Sequence, residues 1–466
     1  MTGDRAGAQK DFNEATAAWF QIVDEFSAQM FSLLHISDTL IPEMMKRERG
    51  VVNSLLDSYD SLLSGDDRDE FKQAVNWFGA TLGEIVDRIE ERRDAEERAA
   101  VKDSSGKEDG DPRELSFRIN SKNVSTAFGQ MIYESTMHAK AGPRDHTLRK
   151  SLIVSAASAF EILFGKLAKR VYAVNKAALN DSEYTFSLQQ LAEFSSLEEA
   201  RQYLVERRVS ALLRESLDGW DKWLGKSVKG VSMAGLPLDW VATREVFARR
   251  NLVVHNGGEV NHIYMDVMSN LDGVRCGSLN IGSVLKIDRE YFAQATQNIF
   301  SLGMLLAIDV ARKLHRDQSE AFLGLLLRNA ESAARRHLWV ATVALSRYLL
   351  NNNPNRSGKI RAQVLNWVAR KEQSGVEEIR GEVAAWDVSG LSDEYSHYKR
   401  VLIGEKGKAI NDVEKLISSG KLSIVEVATH PIYADLVNEL PSMAVEAELP
   451  ELDSPASQAV DKGGEQ

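Results

Sequence analysis

The sequence predicts an all-α, multi-domain protein, and three observations predict it. Apolar residues recur at three-to-four spacing along most of the chain. Residues suited to helix ends stand where that periodicity starts and stops, notably Asp66-Asp67 and Asn256-Gly257-Gly258. Only one segment, Cys276 to Ile287, reads as a short β-hairpin, with Gly277 and Gly282 beside Val284, Leu285 and Ile287.

Taken in order, Phe12, Ala15, Trp19, Ile22, Val23 and Phe26 form one stripe. Leu55, Leu56, Leu62 and Leu63 continue the pattern, and Phe71, Val75, Phe78, Leu82 and Ile85 form the next stretch. Carboxylates at Asp66-Asp67 suit the start of that stretch, because they accept from free amides and complement the helix dipole. It ends in the charged run Glu90 to Arg98, so residues 1–100 are expected to be a helical hairpin or three-helix unit. From Val101 to Leu115 periodicity disappears and Gly, Ser, Asp and Pro collect, which reads as a polar linker. A second polar interruption, Ala139 to Arg144, opens a helix-rich domain expected at 140–316, with Tyr291 to Leu314 strongly apolar. A C-terminal helical region is expected at 317–449. Ala321 to Leu350 and Lys359 to Ala369 suit stacked antiparallel pairs there, without a fixed repeat. The Leu323-Gly324-Leu325-Leu326-Leu327 run reads as core, with Gly324 expected at a close helix contact. After Pro450 the chain reads as a disordered acidic tail, 450–466.

At 466 residues the chain exceeds one ordinary core, and 43% apolar with 27% charged residues is a globular balance. The single Cys276 excludes an intramolecular disulfide or a cysteine metal cage and points to a reducing compartment. The polar N-terminus has no apolar signal core. Phe300 to Ala311, broken by Ser301 and Asp309, is too short for a bilayer span. A cytoplasmic protein with no membrane partner is therefore expected. The net charge of −11 argues against a promiscuous nucleic-acid binder, but charge is unevenly spread. Residues 140–316 hold 24 Lys and Arg against 19 Asp and Glu, while the rest of the chain holds 33 against 49. That asymmetry suits a polyanionic ligand or a solvated surface.

One segment is chemically competent: Arg249-Arg250-Asn251-Leu252-Val253-Val254-His255-Asn256-Gly257-Gly258. Arginine followed four to six residues later by histidine is expected about twice by chance in this composition, and both occurrences end on His255. The context is more specific. Leu238, Val241, Val246, Phe247, Leu252 and Val253 mark a helix with a buried stripe, and glycine past Asn256 closes it. His255 then falls in the last turn, where unpaired carbonyls favour the protonated imidazole. Asn251 lies one turn earlier on the same face, and Arg250 reaches the imidazole only by its length. Such a set suits metal-free cleavage of RNA, with imidazole moving the proton and guanidinium meeting phosphorane charge. The bland reading is a histidine capping carbonyls and an arginine in a surface ion pair.

Arg250-Asn251-Leu252-Val253-Val254-His255 resembles the RNxxxH motif of the HEPN superfamily, without departure. The string continuing through Asn256-Gly257-Gly258-Glu259-Val260-Asn261 to Tyr264 is similar to RiboL-PSP-type HEPN domains of bacteria. Ser155 to Leu163, with Glu161 after Phe160, resembles that family's first long helix. The resemblance covers about residues 140–316. It implies a small helical bundle, pairing of two copies into a composite site, and RNA cleavage in toxin or phage-defence systems, with some members inactive. Arg250, His255 and Asn251 become the catalytic candidates. Glu161, Arg249, Asn256 and Tyr264 become candidates for support. Glu161 either orients Arg250 or is an ordinary exposed carboxylate, and Arg249 is expected to be solvated or on a phosphate.

Elsewhere, Arg207-Arg208 and Arg335-Arg336 with His337 suit a charged helix face or an RNA backbone, the former being usual. Trp220 and Trp223 read as core anchors rather than a stacking platform. His138, His146, His262 and His315 lack metal-like spacing, and no phosphate loop, dinucleotide fingerprint, nucleophile elbow or HExxH occurs. No cofactor or metal is therefore expected. The expected partners are RNA, a second copy of the chain and a regulatory protein. The alternatives are a non-catalytic helical scaffold and a nucleotide-binding regulatory module.

Overall fold

The computed structural model describes residues 2–78, 80, 117–140, 144–175, 179, 186–271, 279–352, 355–434 and 436. The 101–115 linker, Cys276 and the 450–466 tail lie outside those residues. Among the described residues the protein is all-α, with one isolated β-bridge and no strand.

The long α1 (Thr2–His35) passes through a π turn, Ile36–Leu40, into α2 (Ile41–Leu62). Proline is tolerated at the start of α2, because a first-turn amide has no helical acceptor to lose. A turn at Gly65, with φ +58°, precedes α3 (66–78), which starts at Asp66 as the carboxylate pair suggests. Then follow α4 (Lys122–Lys140), α5 (Arg144–Val174), α6 (Leu188–Ala192), α7 (Leu197–Leu212) and α8 (Leu217–Ser227). Next come α9 (Trp240–Asn256), α10 (His262–Ser269) and α11 (Arg289–Leu314). The C-terminal series is α12 (Ser319–Arg335), α13 (Trp339–Asn352), α14 (Arg356–Ser374), α15 (Glu377–Ala385), α16 (Asp393–Ile403), α17 (Lys406–Ser418) and α18 (Ile424–Thr429).

The chain forms two compact units that cut across the expected domain borders. The first comprises residues 21–220 and 239–303; the second comprises 1–20, 221–238 and 304–466. The division thus falls inside α1, α8 and α11, not at residues 101–115 or 140. Apolar periodicity marks which face of a helix is buried, but not which unit buries it.

In the first unit α5 is the central helix and packs on α2, α7 and α9. Ile153, Phe160, Leu163, Phe164 and Leu167 are fully buried along it, and each such side chain contributes about 1.5–3 kcal/mol of burial. The segment Asp145–Val174 is long and apolar enough to cross a membrane, although no membrane span is expected from the sequence. Its most apolar window is 56% buried inside the fold, as a core helix would be. An aromatic stack ties α5 to its neighbours: Trp220 lies 4.5 Å from Phe164, and Phe247 of α9 meets Phe160 edge-on at 5.5 Å. Trp220 also donates its indole N–H to the Leu212 carbonyl at 2.7 Å, so it is a core anchor. Gly303 marks the tightest approach, because a Cβ there would fall on the Phe26 ring and against Leu163. Gly324, expected at such a contact, has nothing within 4 Å of an added Cβ.

In the second unit α12, α13 and α14 pack consecutively, as the expected stacked pairs require. One of its core clusters joins Trp367 and Val368 to Val383, Leu402, Val413 and Tyr433.

Candidate functional site

The site is built on α9. Asp239 caps its start by accepting from the Ala242 amide at 2.8 Å. Its end is set by Gly257, whose φ of +63° is left-handed, and the next amide, Gly258, donates back to Leu252 at 3.2 Å. Lys150 of α5 donates to the Gly257 carbonyl at 2.6 Å, a favourable place for a cation. Beyond the stop, Glu259 forms the bridge with Val284, while the Val260 amide donates to the Ser283 carbonyl at 2.8 Å. The segment expected to be a hairpin in itself therefore pairs, over its described part, with the chain leaving α9. Leu252, Val260, Tyr264, Met268 and Leu285 form the small core that holds this corner.

Arg249 and Arg250 diverge. Arg249, expected to be solvated or on a phosphate, instead bonds buried Glu245 at 2.6 Å, reaches the Lys286 carbonyl at 3.3 Å and lies 3.8 Å over the Tyr291 ring. Glu245 also accepts from Tyr264 at 2.9 Å and from Tyr291 at 2.8 Å. Burial disfavours the Arg249 charge, yet Tyr291 and Glu245 outweigh it and its pKa rises. Burial, reinforced by Glu245, pushes both phenols up, so Tyr264 and Tyr291 stay protonated donors. Tyr264 is thus part of a buried polar node. Sequence reasoning missed Glu245; its i,i+4 spacing to Arg249 was visible, but its burial was not.

Arg250 faces a groove of about 460 Å³. Its Nη2 pairs with Glu161 of α5 at 3.0 Å and its Nη1 donates to Asn251 Oδ1 at 2.9 Å. Its Nε is enclosed and has no acceptor. Of the two readings left open for Glu161, the structure shows contact with Arg250 rather than a free exposed carboxylate. Arg214 and Arg244 line the same groove, and Arg244 pairs with Asp218 at 2.7 Å. Glu215 lines it too, so the groove alternates cations and carboxylates over an apolar floor of Trp220 and Phe247.

His255 is exposed in the last turn of α9 and has no hydrogen-bond partner among the described residues. It does not line the groove. It lies five positions after Arg250, which is about 140° around the helix. Arg250, Asn251 and Glu161 are brought together in one chain, while His255, one turn beyond Asn251, makes no hydrogen bond to any of them. Asn256 donates to the Glu259 carbonyl at 2.5 Å and supports the turn. No group of three His, Cys, Asp or Glu suited to a metal occurs among the described residues. Arg336 is engaged by Ser332, and His337 sits at φ +57° edge-on to Trp339, which fits a helix-end turn.

No family model, characterised protein or solved structure matches the chain at a significant level.

Proposed function

We propose that this protein is a metal-independent endoribonuclease of HEPN type, acting in the cytoplasm as a toxin or antiviral effector. One observation carries the reading. Arg250 is held by Glu161 and Asn251 on a groove wall, on the same helix whose last turn offers a free, exposed His255. The 2′-oxygen of ribose attacks the adjacent phosphorus, the O2′–P bond forms and the P–O5′ bond breaks. The 2′-hydroxyl loses a proton and the departing O5′ gains one; His255 handles one of these transfers and solvent water the other. Arg250 meets the charge of the phosphorane, with Asn251 fixing its guanidinium. Because Arg250 and His255 diverge around α9, a second copy of the chain is needed to bring a histidine opposite an arginine.

Full-length protein is incubated with total RNA in chelator. Wild type should yield fragments ending in a cyclic phosphate and a 5′-hydroxyl, and Arg250→Ala and His255→Ala should each slow this by about 10²-fold or more. Absence of cleavage, or equal cleavage by the variants, overturns the reading.

A second reading is a non-catalytic scaffold or nucleotide-binding regulatory module. It is favoured by the carboxylates Glu161, Glu215 and Asp218 in the groove, which repel a polyanion. It expects His255→Ala to be silent.

A further inference from the structure

The second unit contains a separate cavity of about 150 Å³, walled by α12, α14, α16, α18 and His430. It is well below the about 300 Å³ at which drug-sized ligands begin, so its occupant is small. Opposite charges stand on its walls, and only some of them pair. Arg335, at the end of α12, has no ion pair or hydrogen bond among the described residues, while Arg361 is already paired with Glu331. Across from them are Glu394 and Glu426, which compete for one proton donor. The Tyr398 hydroxyl lies 2.7 Å from Glu394 and 3.4 Å from Glu426. One O–H serves one acceptor well, so Glu426 has the weaker share of it.

His430 adds a donor. Its Nδ1 accepts the Ile432 amide at 3.2 Å, so the proton of the neutral ring sits on Nε2, which has no acceptor among the described residues. Burial, with Arg335 and Arg361 nearby, pushes His430 down to about 4 and keeps it neutral. Burial and the neighbouring Glu394 raise Glu426, against the opposing pull of the Tyr398 hydroxyl and Arg335. Val364 and Leu365 supply an apolar patch.

A lone cation would satisfy the glutamates and leave Arg335 unpaired; a lone anion would do the reverse. We propose that this cavity binds a free α-amino acid with a short apolar side chain. Its ammonium lies between Glu394 and Glu426, its carboxylate on Arg335 and His430 Nε2–H, and its side chain on Val364 and Leu365. The assignment is independent of any nuclease activity.

The test is calorimetric titration of the full-length chain with the standard L-amino acids, plus propylamine and propionate as half-ligands. At least one small apolar amino acid should bind, and both half-ligands should bind at least about tenfold more weakly. Arg335→Gln and Glu426→Gln should each weaken it by at least about tenfold. Arg335 is exposed, so its variant remains decisive if Glu426→Gln fails to fold. The proposal is overturned if no amino acid binds up to about 10 mM, if Arg335→Gln binds as wild type does, or if propylamine alone binds as well.

Discussion

The two faces of α9 carry adjacent arginines in opposite circumstances. On the inner face, Arg249 meets Glu245, whose two oxygens also accept from Tyr264 and Tyr291. On the groove face, Arg250 is matched by a half-exposed Glu161 and a neighbouring amide, and its Nε has no acceptor. A buried ion must have its demands met within the fold, since an unmatched charge there costs several kcal/mol. A partly solvated ion is served by water at the atoms that reach the groove, although the enclosed Nε of Arg250 stays unmet. Saturated charge thus marks architecture, and unsaturated charge marks a candidate site. The cavity of the second unit follows the same contrast, with Arg335 unpaired and Arg370 held by Glu378 and Glu382.

The sharpest way to break this contrast is to unbalance the saturated node. Glu245→Ala leaves the Arg249 cation and two phenols without their acceptor, and should destabilise the protein by about 3–5 kcal/mol in urea unfolding. A loss near that of an exposed glutamate would show that water reaches the node.

An intermediate effect is expected from buried histidine in the second unit. An imidazole titrates near 6.5 when unfolded, whereas burial beside Arg335 and Arg361 holds His430 near 4. Between those values the unfolded chain binds more protons, so stability is whole above about pH 6.5 and falls as pH drops toward 4. Burial lowers His397 as well and adds to the same slope. Melting temperatures of wild type should therefore decline from pH 7 to 5. His430→Asn keeps an acceptor for the Ile432 amide without titrating, and should flatten the decline by on the order of 2 kcal/mol. An unchanged slope would remove His430 from the account.

The smallest effect is expected on the groove face. Arg250→Ala should change stability by no more than about 1 kcal/mol, because its ion pair with Glu161 is partly solvated. A loss as large as that of Glu245→Ala would make Arg250 architectural too, and the contrast between the faces would fail.

Much of the site's backbone was legible in the sequence. The start of α3 at Asp66 and the stop of α9 at Gly257 depend on local capping chemistry, which needs only a few neighbouring residues. The all-α class followed from periodicity for the same local reason. The pairing of Glu161 with Arg250 bridges 89 positions of sequence, and only the packing of α5 on α9 establishes it. The fates of Arg249 and of Gly303 likewise depend on residues remote in sequence, Tyr291 in one case and Phe26 in the other. Val284 joining Glu259 is a choice of partner outside its own segment that local pattern does not make.

The sequence by itself determined the all-α class, where α9 ends, and that Arg250, Asn251 and His255 share one helix. Tertiary structure alone decided that Arg249 is buried, that Arg250 meets Glu161, and that His255 lies outside their groove. Helix formation is a near-neighbour property, set by backbone hydrogen bonds and caps within a few residues. Burial and charge pairing are not; they depend on which distant side chains the packed helices bring into contact.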